Sequence, residues 1–177
     1  TKTFIGIKNY IQLFTEDRYF PLAVKNSLIL VVASVFIQLP ISLILALVLS
    51  RGVKGDGFFR TVYFIPVVIS SMVIGQLWLK MFNNDYGVIN TVVRYFNPKY
   101  EHSWLTKDAF MTVLIPSIWQ YIGYHMIIFY AGIKSISTDY YEAAQIDGAS
   151  TLQVHMKITL PLLVPVIKTC VIFAITG

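Results

Sequence analysis

Charged side chains are scarce in this sequence. They make up 13% of its 177 residues, against about 25% in soluble domains, while hydrophobic residues make up 56%. These proportions exclude an ordinary water-soluble globule and a disordered chain. The net charge of +5 is spread along the chain without a basic run, so we expect no binding to nucleic acid. The single cysteine, Cys170, excludes an internal disulfide and a zinc site built from several thiolates.

Motifs of enzyme chemistry are missing as well. The sequence has no G-x-x-x-x-G-K-[ST] loop, so this chain does not cradle the phosphates of ATP. Its histidines, His102, His125 and His155, lie far apart and show no spacing typical of metal ligands. We therefore expect no catalytic residues, no metal site and no cofactor bound by this chain. A membrane enzyme is the least favoured alternative.

Long uncharged runs dominate what is present. A bilayer core needs about 20 apolar helical residues, and four apolar runs are candidates for spans: 26–50, 61–79, 109–133 and 160–177. The first three are uncharged, and the last contains Lys168 near its start, from where the side chain can reach the interface. Runs this long do not alternate as the strands of a membrane barrel do. The sequence predicts an all-α integral membrane helical bundle with at least four spans and one transmembrane domain over 1–177. The four runs contain no Asp or Glu, so coupling to protons is not expected.

The loop at 51–60 holds the densest group of basic residues, Arg51, Lys54 and Arg60. Because positive loops favour the cytoplasmic side, we place this loop inside the cell. The spans then alternate, which puts residues 80–108 outside and residues 134–159 inside. The charge difference between the loops is small, so this topology depends mainly on loop 51–60.

A segment between the last two predicted spans combines small and acidic residues. Tyr141 to Ile146 reads as a short helix, Ala143 and Ala144 give it a low-profile surface, and Gly148 allows the chain to turn. A second helical piece follows it. These features fit either an amphipathic loop that only packs under the bundle or a surface that another protein approaches closely.

Residues 142–153 read E-A-A-x-I-D-G-A-S-x-x-Q, and I-T-L-P-L-L follows at 158–163. This stretch resembles the EAA motif of the membrane permease subunits of binding-protein-dependent ABC importers, of the carbohydrate (maltose and multiple-sugar) type. The resemblance implies a type I importer fold of six spans. We expect the first and last of these to lie outside this sequence and the span at 160–177 to be truncated. It also implies that the loop 134–159 is cytoplasmic and docks on the ATPase through Tyr141, Glu142, Ala143, Ala144, Asp147, Gly148 and Ala149.

The resemblance implies partners as well. They are a second permease subunit, two ABC ATPase subunits that use ATP, an extracytoplasmic solute-binding protein and the lipid bilayer of a bacterial or archaeal inner membrane, which the chain would cross several times. The implied cargo is a sugar or oligosaccharide, with glycerol phosphate or a polyol as alternatives. A membrane scaffold or assembly subunit without a transport pathway is the rival interpretation. One departure is His155, because the family usually has a bulky aromatic residue there.

The third predicted span carries a polar and aromatic row at Gln120, Tyr121, Tyr124 and His125. Residues four apart share a helix face, so these side chains are candidates for lining a substrate pathway. The alternative is that they bond neighbouring helices together. Gln38, in the first predicted span, has the same two interpretations.

Overall fold

The computed structural model describes residues 6–176, which fold into helices joined by short loops, with no strand in this range. The predicted all-α fold is confirmed. In chain order the helices are α1 (Lys8–Thr15), α2 (Phe20–Leu49), α3 (Asp56–Val68), α4 (Ser71–Met81), α5 (Val88–Phe96), α6 (Trp104–Lys107), α7 (Met111–Lys134), α8 (Thr138–Ile146) and α9 (Thr151–Thr176). Residues 1–5 and 177, at the ends of the predicted domain, lie outside the described residues.

Helix α7 is the centre of the bundle, and α2, α3 and α9 pack against it. Small residues let these helices approach closely, as is common in membrane bundles. Ser42 and Ala46 of α2 are fully buried, and Ser42 Oγ donates a hydrogen bond of 2.9 Å to Ile122 O on α7. At Gly123 the backbone of α7 lies so close to α3 that a Cβ would overlap the carbonyl oxygen of Tyr63. The apolar core between α2, α7 and α9 comprises Leu39, Ala46, Leu49, Met126, Phe129, Ile133, Leu163 and Cys170.

Helices α2 and α9 each contain one π-helical turn, at Ser34–Gln38 and His155–Thr159. Both turns end two residues before a proline, Pro40 and Pro161. Proline has no N–H to donate, and its ring crowds the carbonyl four residues back, so a wider turn relieves the clash. The amide after each turn donates to the carbonyl five residues back. The last residue of each turn is polar and buried, so each π turn delivers one polar side chain into the bundle.

The membrane-crossing elements differ from the predicted spans in two ways. Helices α2 and α9 are long and apolar enough to cross a bilayer. The second predicted span, 61–79, is not one straight helix, because Ile69 and Ser70 take extended backbone and the α3–α4 pair is bent by 99°. The pair is either one broken span or a re-entrant loop. The third predicted span forms α7, which is less apolar because of its polar row at 119–125.

Two contacts define what we call the basal end of the bundle. Lys134 Nζ at the end of α7 donates to Ser50 O just after α2, at 2.8 Å. Arg51 Nη2 lies 2.7 Å from His155 Nε2 near the start of α9. The chain therefore enters α3 and α8 at the basal end, while the segment between α4 and α7 lies at the opposite end. The side of the membrane that each end faces stays a prediction.

Candidate functional site: a docking helix at the basal end

Helix α8 and the turn that follows it, residues 137–153, form the segment that the EAA motif marks, and we call it the coupling segment. Ser137 caps the start of α8, where its Oγ accepts a hydrogen bond of 3.3 Å from the Asp139 amide. Asp139 stands in the first turn of the helix, where negative charge is favoured by the helix dipole. The sequence therefore specifies the beginning of α8 locally.

The end of α8 is a Schellman turn, and Gly148 is its left-handed residue. The Ala149 amide donates to Ala144 O at 2.9 Å, and the Gly148 amide donates to Gln145 O at 3.0 Å. Gly148 has φ of +71°, which L residues other than glycine adopt only at a cost. A Cβ at this position would meet nothing within 4 Å. The glycine is therefore needed for the backbone conformation and not for space.

A capping box begins α9 two residues later. The Ser150 amide donates to Gln153 Oε1 at 2.7 Å, and the Gln153 amide donates to Ser150 Oγ at 3.4 Å. These two residues satisfy each other's free backbone groups at the helix start. The G-A-S-x-x-Q part of the motif is thus a turn between α8 and α9 that these hydrogen bonds hold in place. Helix α9 then runs without a break from Thr151 to Thr176.

The predicted docking residues do not all face outward. Glu142, Ala143, Asp147 and Gly148 are exposed, Tyr141 and Ala149 are half-buried, and Ala144 is buried. Of the two alanines, only Ala143 is therefore open to a partner. Large apolar side chains lie exposed on the same segment, because Ile146 is 87% exposed and Leu152 is 71% exposed. Within residues 6–176, Glu142 forms no ion pair.

Behind the coupling segment, a small polar network ties α8 to the bundle. Tyr141 Oη lies 3.5 Å from Thr159 Oγ1, and His155 Nδ1 lies 3.4 Å from the same oxygen. Arg51 can only donate, so the 2.7 Å contact makes His155 Nε2 an acceptor and the imidazole neutral, with its proton on Nδ1. His155 is half-buried and stands where the resemblance leads us to expect an aromatic ring. It adds a link to loop 51–60 that a hydrocarbon ring would not provide.

The candidate pathway residues lie nearer the opposite end. Tyr121, Tyr124 and His125 line a cavity of about 480 Å³ between α2, α7 and α9, whereas Gln120 does not line it. Gln38 lines it too, from the π turn of α2, and Ser34 and Ser117 add hydroxyl groups that sequence reasoning missed. The leucine–proline pair at 39–40 was the one sequence signal for that π turn.

One polar atom beside this cavity has no bonding partner. His125 Nδ1 lies 2.9 Å from Gln38 Nε2 and 3.1 Å from Tyr121 O. Its other nitrogen, Nε2, is buried and has no hydrogen bond within the described residues. Buried polar groups usually find a partner, and His125 Nε2 is an exception in the described part of the chain, as are Arg60 Nε and Trp78 Nε1. No charged side chain is among the residues that line the cavity.

Comparison with known proteins agrees with this geometry. Residues 38–177 match the family described as the binding-protein-dependent transport system inner membrane component. The chain belongs to this family. It is therefore a helical membrane protein, and its resemblance to the carbohydrate-type ABC importer permeases is confirmed by relatives. It is 36% identical over 92% of its length to the probable ABC transporter permease protein YesP of Bacillus subtilis. It is 37% identical over 89% to the xylose/arabinose import permease protein XacH of Haloferax volcanii.

The family match extends to a solved structure. A chain of the bacterial alginate ABC transporter, crystallised with a periplasmic protein bound to an alginate pentasaccharide, superposes with a TM-score of 0.84 at 29% identity. The superposition covers 96% of this chain and 60% of that chain. This chain also spans about half the length of the curated relatives, 53% of YesP and 50% of XacH. The relatives therefore contain further sequence that this chain does not match.

Proposed function

We propose that this chain is part of a permease subunit of an ABC importer in a bacterial or archaeal inner membrane, which it crosses several times. It forms half of the translocation pathway for a sugar or oligosaccharide, together with a second permease subunit. Two cytoplasmic ATPase subunits use ATP, and a solute-binding protein delivers the cargo from outside. The chain itself is not an enzyme and binds no cofactor.

The observation that carries this proposal is the construction of the coupling segment. Helix α8 presents Glu142 and Ala143 to the outside and is joined to α9 by a Schellman turn and a capping box, with Gly148 between them. Such a joint has few free torsions, so displacement of α8 by a partner moves α9 with it. Because α9 continues toward the cavity at Phe173–Thr176, the movement reaches the proposed pathway.

The cavity supports the choice of cargo. Tyr121 and Tyr124 offer aromatic faces and hydroxyl groups, and Ser34, Ser117 and Gln38 add further hydroxyl and amide groups. Carbohydrates present both C–H faces and hydroxyls to such surfaces. The absence of charge among the lining residues favours an uncharged solute over the alternative, glycerol phosphate, which would need a cation nearby. The name of XacH, a xylose/arabinose permease, is in line with a sugar.

The test is sugar uptake by cells that express the whole importer with Glu142→Gln in the permease. A carboxylate that pairs with a basic group on a partner contributes about 1.5–3 kcal/mol, so we expect uptake to fall about 10-fold or more with normal membrane insertion. Asp139→Asn is the matched control, because it removes an exposed carboxylate of the same helix and should keep uptake within about 2-fold. Unchanged uptake in Glu142→Gln would favour the scaffold interpretation.

A further inference from the structure

A second cavity lies at the basal end, between the coupling segment and the bundle. Its volume is about 450 Å³, in the range of small-molecule sites. The ends of α2 and α7, the inner side of α8 and the start of α9 all contribute to its wall. Arg51 and Lys134 line it, and no acidic residue is among the lining residues. This cavity is basic, whereas the cavity near the other end has no charged lining residue.

Each of the two cations is bonded to a neutral acceptor at the basal end. Lys134 Nζ bonds Ser50 O, the carbonyl that directly precedes Arg51 in the chain. Arg51 in turn reaches His155 Nε2. Both partners are neutral acceptors, and within residues 6–176 neither cation forms an ion pair with a carboxylate. Asp56, the acidic residue of loop 51–60, pairs with Arg60 at 3.3 Å. The hydrogen bond from Tyr130 and, to a smaller extent, the charges of Arg60 and Lys134 lower the pKa of Asp56. Asp56 therefore offsets part of the charge of Lys134 from outside the cavity, while Arg51 has no carboxylate partner within residues 6–176.

Neutral donors complete the wall. Thr138, Tyr141, Gln145 and Thr151 bring hydroxyl and amide groups to the same cavity. Two cations together with hydroxyl donors are the groups that bind a phosphate, which offers several strong acceptor oxygens. His155 has a positioning part in this arrangement, because its neutral nitrogen holds the Arg51 guanidinium at the cavity. An aromatic hydrocarbon at that position would not.

We propose that this basal cavity binds the phosphate group of an anionic ligand, with Arg51 and Lys134 as the charged contacts. Basic pockets between membrane helices on the cytoplasmic side bind anionic lipid headgroups, and a soluble phosphate compound offers the same chemistry. The cytoplasmic position of the cavity rests on the proposed function. A bound phosphate would link α2, α7 and α9 directly behind α8 and so fix the base from which the coupling segment projects.

The test uses the full permease with its ATPase subunits in nanodiscs of phosphatidylcholine containing a small fraction of phosphatidylglycerol. Native mass spectrometry measures how much of each lipid the complex retains. Each cation contributes about 1 kcal/mol toward an anionic headgroup, so Arg51→Gln with Lys134→Gln should lower phosphatidylglycerol retention about 30-fold, or about 2 kcal/mol. The matched control is Lys54→Gln with Lys157→Gln. It removes two exposed cations that do not line the cavity and should lower retention less than about 3-fold.

A second arm adds inorganic phosphate to complexes in pure phosphatidylcholine and follows thermal unfolding. A phosphate-dependent rise in the unfolding temperature that Arg51→Gln with Lys134→Gln abolishes would assign the site to a soluble phosphate compound. The proposal is overturned if both pairs of substitutions lower lipid retention equally and phosphate has no such effect. If the variant with Arg51→Gln and Lys134→Gln fails to assemble, the same two measurements on the unaltered complex still test the proposed site. Equal retention of the two lipids with no effect of phosphate refutes the site, whereas sugar uptake by cells that express the whole importer tests the proposed function separately.

Discussion

Replacement of Gly148 by alanine tests whether the turn after α8 is needed for its backbone conformation. Gly148 has φ of +71°, and a Cβ there would meet nothing within 4 Å. The change therefore adds no clash, and its expected cost is the left-handed conformation alone, about 1 kcal/mol. If α8 docks only with the turn formed, the affinity of the ATPase subunits for the permease should fall by as much as about 5-fold, the full factor applying when the turn forms only on docking. Asparagine adopts the left-handed conformation more readily than alanine does, so Gly148→Asn should lose less affinity than Gly148→Ala.

The assay is the dissociation constant of ATPase subunits for the permease in nanodiscs. Gly55→Ala is the control, because Gly55 also has a left-handed φ, of +83°, but lies in the loop before α3. It should leave the dissociation constant unchanged. The reasoning is refuted if affinity falls in order of side-chain size, with Asn worse than Ala. That order would mean that the partner's surface requires the absence of a side chain at Gly148.

Three further predictions concern packing and capping. Gly123→Ala should lower stability by about 1–3 kcal/mol in thermal unfolding, because its Cβ overlaps α3. The control Gly75→Ala adds its Cβ in open space and should not lower stability. Equal losses in the two variants would contradict the close crossing of α3 and α7. Ser150→Ala should cost about 1 kcal/mol of stability through loss of the cap, and no loss would contradict the capping box. Gln38→Leu should cost about 1–3 kcal/mol by leaving His125 Nδ1 with one partner fewer. Adding His125→Phe should recover part of that loss, and a further full loss would argue against the pairing.

The sequence predicted the helical spans well where composition decides the outcome. Uncharged runs at 26–50 and 109–133 correspond to parts of α2 and to α7, because a long apolar segment has few ways to satisfy its backbone other than a helix. The bend at Ile69 and Ser70 was not predictable from the run at 61–79. Ser70 is of a type that favours a helix start, but an uncharged run of this length reads as one span, and the two short helices are positioned by packing against α7. Tertiary contacts thus override the local pattern there.

The role of the coupling segment as a docking surface was predictable only through the EAA motif. The structure adds which of its side chains face outward, and the motif cannot show this. Small residues at 143 and 144 look equivalent in the sequence, but the helix turns Ala144 toward the bundle and Ala143 outward. The capping box of Ser150 and Gln153 has a local sequence pattern, so it could have been predicted. The bond between Arg51 and His155 could not, because it joins residues 104 apart in the chain.

The measurement that tests the central claim most directly is a cross-link from α8 to the ATPase. A cysteine at the exposed Ala143 is labelled with a benzophenone maleimide in membranes that contain the whole importer, while Cys170 is buried and should stay unlabelled. Ala144→Cys is the matched control, since residue 144 faces the bundle. The account predicts an ATP-sensitive adduct between the ATPase and position 143, with little from position 144. Labelling of position 143 only by impermeant reagents added outside the cell would contradict it.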